Sequence, residues 1–286
     1  MQRPHSPTIR LRRLGFELRH LREKHKLTLD EASKRSGVPR TTLSKIETAE
    51  SRRTRTRDLD ALADLYEVSN ETREAFHQLY RESKDKGWWY RYKELFGTSG
   101  LPAFEVEASL IRTYEAQVIP GLLQTPEYTR AVFTGTNAYA DAEIQRHVDA
   151  RMERQSILAR LYPPEYAAII DEASLRRPAG TAEVMKEQLR HLAHMATRQH
   201  VSVHVLPFSA GMHAANLGGF QIMDFADPAD PTVCFAEVPT AGLFLEEEAE
   251  VRRYDAIWRE AHNAALTVAQ SISFIEEAIA SLEGEL

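Results

Sequence analysis

Cysteine is almost missing from this 286-residue chain. Cys234 stands alone, which excludes an intrachain disulfide framework and a cysteine-built zinc site and fits a reducing compartment. A lone thiol of this kind reads as a small core residue. Long apolar runs are missing too: no stretch of about eighteen apolar residues occurs, and residues 1–20 have no apolar segment of the signal-peptide type, so the expectation is a cytoplasmic protein with no membrane partner. Glycine loops that cradle phosphates are also lacking, since neither a Walker pattern nor G-x-G-x-x-G appears. Ser209-Ala210-Gly211 is no nucleophile elbow, because Pro207 occupies the position that needs glycine. The length itself predicts two domains.

Charge is unevenly spread. Residues 1–60 carry a net +8 and the remainder −14, giving −6 for the whole chain. The partner of the basic front end is therefore nucleic acid or another anionic surface, unless the charges are simply a solvated face. The stretch SGVPRTTLSKIETAESRRTRTR, residues 36–57, concentrates that chemistry in hydroxyl and basic side chains.

Its local structure follows from pattern and capping. Leu11, Leu14, Phe16, Leu18, Leu21 and Leu27 recur mostly at three- and four-residue steps and predict a first amphipathic helix. Thr28-Leu29-Asp30-Glu31 reads as a capping box opening a second helix, with Gly37 as its left-handed stop. Pro39 then starts a third. With Arg40 at 0° and about 100° per residue, Leu43 and Ile46 fall at about 300° and 240°, so the outward direction is about 90°. Thr41 and Lys45 point there, flanked by Ser44 and Arg40, while Thr42 and Glu47 lie towards the buried edge. Arginine and lysine donate to guanine O6 and N7 in the major groove, and serine or threonine contacts several base edges. Arg52, Arg53, Arg55 and Arg57 follow on a loop suited to phosphates. The segment Asp58 to Tyr66 places Leu59, Leu62, Ala63 and Tyr66 on one face, and Asn70 caps a helix carrying Ala75, Phe76 and Leu79.

The pattern Leu27-Thr28-x-x-Glu31-Ala32-Ser33-x-x-Ser36-Gly37-Val38, continued by Leu43-Ser44-Lys45-Ile46-Glu47, resembles the phage-repressor or xenobiotic-response-element class of helix-turn-helix DNA-binding domains. The resemblance implies a five-helix bundle over residues 8–84 that docks on double-stranded DNA. Leu29 departs from it where many members carry Gln, and Ala49 where Gly commonly follows the third helix.

Residues 85–100 hold Trp88, Trp89, Tyr90, Tyr92 and Phe96, an aromatic hinge between domains. Over 101–286 the pattern predicts an α+β domain with a small antiparallel sheet, and hence a mainly α protein. Helices are expected at 103–112, 126–133, 141–161 and 181–198, with one or two more over 247–282. Residues 166–171 are a short apolar run that suits a strand or a helix, and 201–208, 219–227 and 232–239 suit consecutive strands of a meander. The strings Val118-Ile119-Pro120-Gly121-Leu122-Leu123-Gln124-Thr125-Pro126-Glu127-Tyr128, Arg151-Met152-Glu153-Arg154-Gln155 and Leu206-Pro207-Phe208 resemble the C-terminal domain of Scr-type antitoxin-like transcriptional regulators. That likeness implies a domain that dimerises or receives a small neighbour-encoded protein.

No catalytic set emerges. His191 and His194, with His200 or His204, could approach a metal, but no carboxylate spacing completes a recognised site. Asp171-Glu172 is better explained by solvation or by pairing with Arg176 and Arg177. The expectation is a non-enzymatic, repressor-like regulator without cofactor or metal, acting as a homodimer on a near-palindromic operator. Arg40, Thr41, Ser44 and Lys45 would read bases, and Thr28, Arg52, Arg53, Arg55 and Arg57 would hold phosphates. Two rivals stand beside it: an antitoxin-like module whose primary partner is a small protein, and a small-molecule sensor gated by Trp88 and Trp89, for which no charged or glycine-rich pocket motif is visible.

Overall fold

A computed structural model describes residues 7–50, 54–84, 87–96, 100–136, 139–228, 230–238 and 241–284. The chain divides into two compact units, the first made of Met1–Lys93, Gly100–Glu107 and Asp227–Pro231, the second of Glu94–Ser99, Ala108–Ala226 and Thr232–Leu286.

Unit 1 is built on α1 (Pro7–Lys24), α2 (Leu29–Ser36), α3 (Arg40–Glu47), α4 (Thr56–Leu65) and α5 (Asn70–Glu82). Their inward faces form one cluster that includes Leu11, Leu14, Leu18, Ala32, Leu43, Ile46, Leu59, Leu62 and Phe76. Phe16, expected inside, is exposed and stacks beside His20 at 6.4 Å. The capping box at Thr28 is present in full, and Gly37 ends α2 at φ 74°. Ser69, rather than Asn70, caps α5, its side chain accepting from the Thr72 amide at 3.2 Å. Leu29 packs partly against the core.

Two backbone features place α3. Gly15 lies mid-helix in α1, where a Cβ would stand 2.6 Å from the carbonyl oxygen of Ile46 and 2.7 Å from that of Glu47; only glycine lets α1 come so close to the end of α3. Ala49 ends α3 in the left-handed conformation, φ 56°. Around it the amides of Ala49 and Glu50 donate to Ile46 and Lys45 carbonyls at 3.1 and 2.9 Å, the paired bonds of a Schellman ending. After 87, Trp88–Tyr92 forms a 3-10 turn in which Trp88 meets Trp89 and Tyr92 edge-on, and α6 (Lys93–Phe96) follows. Unit 1 also includes α7 (Leu101–Glu107).

Unit 2 carries the sheet, and here the sequence expectation needs correcting in detail. Residues expected to continue a helix through 112 form β1 (Ala108–Glu115), which follows α7 directly. Then come α8 (Pro126–Gly135), α9 (Asp141–Gln155), β2 (Glu165–Asp171), α10 (Glu172–Arg176), α11 (Ala182–Met195), β3 (Val201–Leu206), β4 (Phe220–Phe225), β5 (Val233–Val238), β6 (Ala241–Leu245), α12 (Glu248–Ala264) and α13 (Val268–Gly284). The sheet has six strands in the order β3-β2-β1-β4-β5-β6. β1, β2 and β3 run parallel, and β4, β5 and β6 continue antiparallel. The α+β class stands, but the sheet is mixed and larger than expected. β3 does not neighbour β4, because helical crossovers carry β1 to β2 and β2 to β3.

Tyr114, Ile169, Phe220, Ile222 and the buried Cys234 form the core on one sheet face with Trp258 and Ala261 of α12. Burial pushes the Cys234 thiol up to about 12, consistent with a packing role. The motif strings that resemble a family form a buried polar knot. Gln124 donates to the Ile119 carbonyl at 2.7 Å and accepts from Arg151 at 2.7 Å and Thr129 at 3.0 Å. Gln155 donates to the carbonyls of Gly121 and Gln124, and Gln188 of α11 bonds Thr125 and Leu123.

Replacing Gly15 with Ala should lower stability by about 1–3 kcal/mol through overpacking. Ala49→Gly should raise it by up to about 1 kcal/mol through relief of the left-handed backbone. Thermal unfolding of the full chain reads both, and equal behaviour of Gly15→Ala and wild type would contradict the close approach.

Candidate nucleic-acid interface

The third helix is anchored from below and open above. Leu43 and Ile46 are fully buried, and Val38 and Ala32 are buried with them in the same cluster. Pro39 precedes α3 without a side-chain cap. The turn before it is held by Ser33, whose hydroxyl donates to the Val38 carbonyl at 2.7 Å, and by Ser36, whose hydroxyl accepts from the Val38 amide at 3.2 Å.

Arg40, Thr41 and Lys45 are exposed on the outward side, and Ser44 is half-buried between them and the core. The four residues expected to read bases therefore share one helix. Arg40 is not isolated: its Nε lies 2.8 Å from Asp30 Oδ1 on α2, both side chains remaining largely in solvent. An exposed pair like this contributes little, so Arg40 can exchange Asp30 for another acceptor. Nothing in the spacing of Asp30, ten residues before Arg40, reveals the two as neighbours.

The phosphate set is less uniform. Arg55 and Arg57 are exposed at the start of α4, Arg57 lying 3.6 Å from Asp58. Arg52 and Arg53 lie outside the described residues. Thr28 is exposed, but both its donors serve the cap: its amide and its hydroxyl each reach Glu31 Oε2 at 2.8 Å. Those bonds, the amide first, hold the Glu31 carboxyl below its usual range. Thr28 can therefore meet a phosphate only by releasing Glu31.

Beneath this surface lies an ion pair of which the pattern places only Glu47, towards the buried edge. Arg22 of α1 grips Glu47 of α3 with two parallel bonds, Nε to Oε1 at 2.8 Å and Nη2 to Oε2 at 2.9 Å. The same guanidinium donates through Nη1 to the Leu27 carbonyl at 2.9 Å. Both side chains are nearly buried. Tyr66 lies beside them, its phenol pushed up to about 12 by burial and then by the Glu47 charge. Neither Arg22 nor Glu47 faces outward, so the pair orients the helix and leaves the contacts to others.

Four of the residues with metal-ligating or acid–base side chains bond within unit 2. His200 and His204 meet the carbonyls of Leu158 and Leu266, each at 3.0 Å. Asp171 caps the Ala173 amide at 2.9 Å, and Glu172 binds Arg176 at 2.6 Å and the Phe208 amide at 2.8 Å.

Residues 13–76 match the family model of a helix-turn-helix domain, and residues 98–277 match that of a domain of unknown function, DUF5753. The chain belongs to the DUF5753 family. No curated protein and no solved structure matches it. The DUF5753 match takes in all six strands and most of α13. The helix-turn-helix match runs from α1 into α5 and makes the N-terminal part of this DUF5753 protein a DNA-binding domain. Among the described residues, no single helix is long and apolar enough to cross a membrane.

Removing one partner of the Arg22–Glu47 pair leaves a nearly buried charge uncompensated. Glu47→Ala should cost about 3–5 kcal/mol, visible as a lower urea midpoint of the full chain. A loss below about 1 kcal/mol would show that α3 is held without it.

Proposed function

We propose that this DUF5753 protein is a sequence-specific transcriptional regulator that binds a near-palindromic operator as a homodimer. The observation that carries the reading is the exposure of Arg40, Thr41 and Lys45 on a helix whose opposite side is fully buried. A rod of eight residues with donors along its outer edge fits the major groove. One such helix reaches few base pairs, and two-fold pairing would set two copies in successive grooves about 34 Å apart. Arg40, Thr41, Ser44 and Lys45 read base edges in this account. Arg55 and Arg57, with Arg52, Arg53 and a released Thr28, take phosphates. No reacting group is required for this work, and the protein acts without enzymatic turnover.

A second reading is favoured by one further feature. The loop between β3 and β4 exposes three large apolar side chains, Phe208, Met212 and Leu217, at 59%, 90% and 90%. Such a concentration suits a protein partner, as the antitoxin-like resemblance implies, and a small neighbour-encoded protein would be that partner. Co-purification of such a protein with wild type, lost on Met212→Asp, would support it.

Arg40→Ala or Lys45→Ala should cost about 1–3 kcal/mol at particular operator bases. Binding selections on randomised operators read this directly, and equal weakening on operator and random DNA would contradict it. With about four phosphates neutralised per protomer, log affinity should fall with log salt at a slope of about −7 for the dimer. Arg55→Ala should flatten that slope; an unchanged slope removes Arg55 from the phosphate set.

A further inference from the structure

The pairings Tyr114↔Phe220 and Phe220↔Ala236 fix the register of β1, β4 and β5. One residue further along, Glu115, Gly219 and Glu237 fall in a single row across the three strands, on the sheet face opposite Tyr114 and Phe220. Gly219 leaves a gap in that row. A Cβ there would stand 2.8 Å from Glu115 Oε2 and 3.2 Å from the Tyr114 carbonyl oxygen, so the Glu115 carboxylate lies directly over the glycine.

Glu115 is half-buried, yet no described residue gives it a hydrogen bond or an ion pair within 4.0 Å. Arg151 and Arg154 of α9 attract it through space, and Glu237 repels it. The two guanidiniums lie against the backbone at Gly121, where a Cβ would meet Arg154 Nη1 at 3.4 Å and Arg151 Cζ at 3.6 Å. Gln124 and the Phe133 ring hold Arg151 in place. Two residues back along β1, on the same face as Glu115, Thr113 is 4% exposed and its hydroxyl has no partner among the described residues.

A half-buried carboxylate without a donor and a buried hydroxyl without a partner both cost stability. Side by side, they mark a place where something else supplies the hydrogen bonds. The site also sits at the carboxyl end of β1, where the strand order reverses, with β2 and β3 on one side and β4 on the other, a switch point of the kind where open sheets take ligands.

We propose that this row binds a small amino-acid-like zwitterion, its protonated amine between Glu115 and Glu237 and its carboxylate towards Arg151 and Arg154, with Thr113 completing the contacts. An amine supplies the donors that Glu115 lacks, and opposite charges placed beyond direct pairing distance suit a molecule bearing both signs. The site lies in the DUF5753 part of the chain and does not rest on the operator reading.

The ligand-free site has its own titration. Burial first, and then the Glu237 charge, push the Glu115 carboxyl up to about 7, against the pull of Arg151 and Arg154. Tyr128 of α8 and Tyr114 on its own strand are the other titratable groups that feel it. The folded protein keeps this proton to about pH 7, whereas the unfolded chain releases it near the ordinary carboxyl value of 4.5. Stability from this group is thus present at low pH and lost as pH rises through that window.

The test is thermal unfolding and calorimetric titration of the full chain at pH 8 with the proteinogenic L-amino acids, singly, and with n-propylamine and propionate as one-charge controls. The expected result is binding of at least one amino acid more tightly than either control. That affinity should fall at least tenfold in both Glu115→Gln and Glu237→Gln, while Glu115→Gln raises the ligand-free Tm. Absence of any amino-acid binding, equal binding by propylamine, or unchanged affinity in the two variants would overturn the proposal. Glu237 is exposed, so its variant leaves the fold in place.

Discussion

The bidentate contact between Arg22 and Glu47 is the constraint on which the outward surface of α3 depends. It joins the C-terminal part of α1 to the last residue of α3, and it does so next to Gly15, where the backbone of α1 approaches the final carbonyls of α3 too closely for any side chain. The Leu43 and Ile46 side chains fix which way the helix rolls; the ion pair and the glycine fix where it lies along α1. An eight-residue helix has little stability of its own, so its position comes almost wholly from these contacts. Nearly buried ion pairs are modest contributors to net stability. Their geometric demand is severe, and here it is the geometry that matters.

Much of unit 1 is legible in the sequence because its signals are local. A capping box, a left-handed glycine and apolar steps of three and four each specify a helix end or a helix face, and all of these appear at Thr28, Gly37, Leu43 and Ile46. What the local pattern does not show depends on residues distant in sequence. Gly15 reads as a weak spot in a helix until α3 is placed against it, and Arg22 reads as one more surface charge. Asp30 beside Arg40 is a matter of how α2 meets α3. Phe16 is the reverse case, an apolar residue in phase with the rest that nonetheless faces outward.

Unit 2 is less legible for a physical reason. The segment 101–115 changes from helix to strand without a break, as α7 ends at Glu107 and β1 begins at Ala108, and no glycine or proline between them announces the change. Strand order also depends on crossovers that pattern cannot show, so β3 and β4, neighbours in sequence, end up separated by β2 and β1. The family-like strings proved to be a polar scaffold centred on Gln124, Gln155 and Gln188. The charged row over Gly219 is formed by residues from β1, β5, the start of β4 and one helix, which is why no linear motif marks it. The glycine- and charge-bearing site missing from the linear pattern is thus assembled by register.

The central claim is that the outward edge of α3 meets DNA. Amide hydrogen exchange of the full chain, with and without a duplex selected by the protein itself, tests it most directly. Peptides spanning residues 28–57 should gain protection on the selected duplex and less on an unrelated one. Protection that leaves residues 40–48 unchanged, with the gain confined to other parts of the chain, would contradict the account.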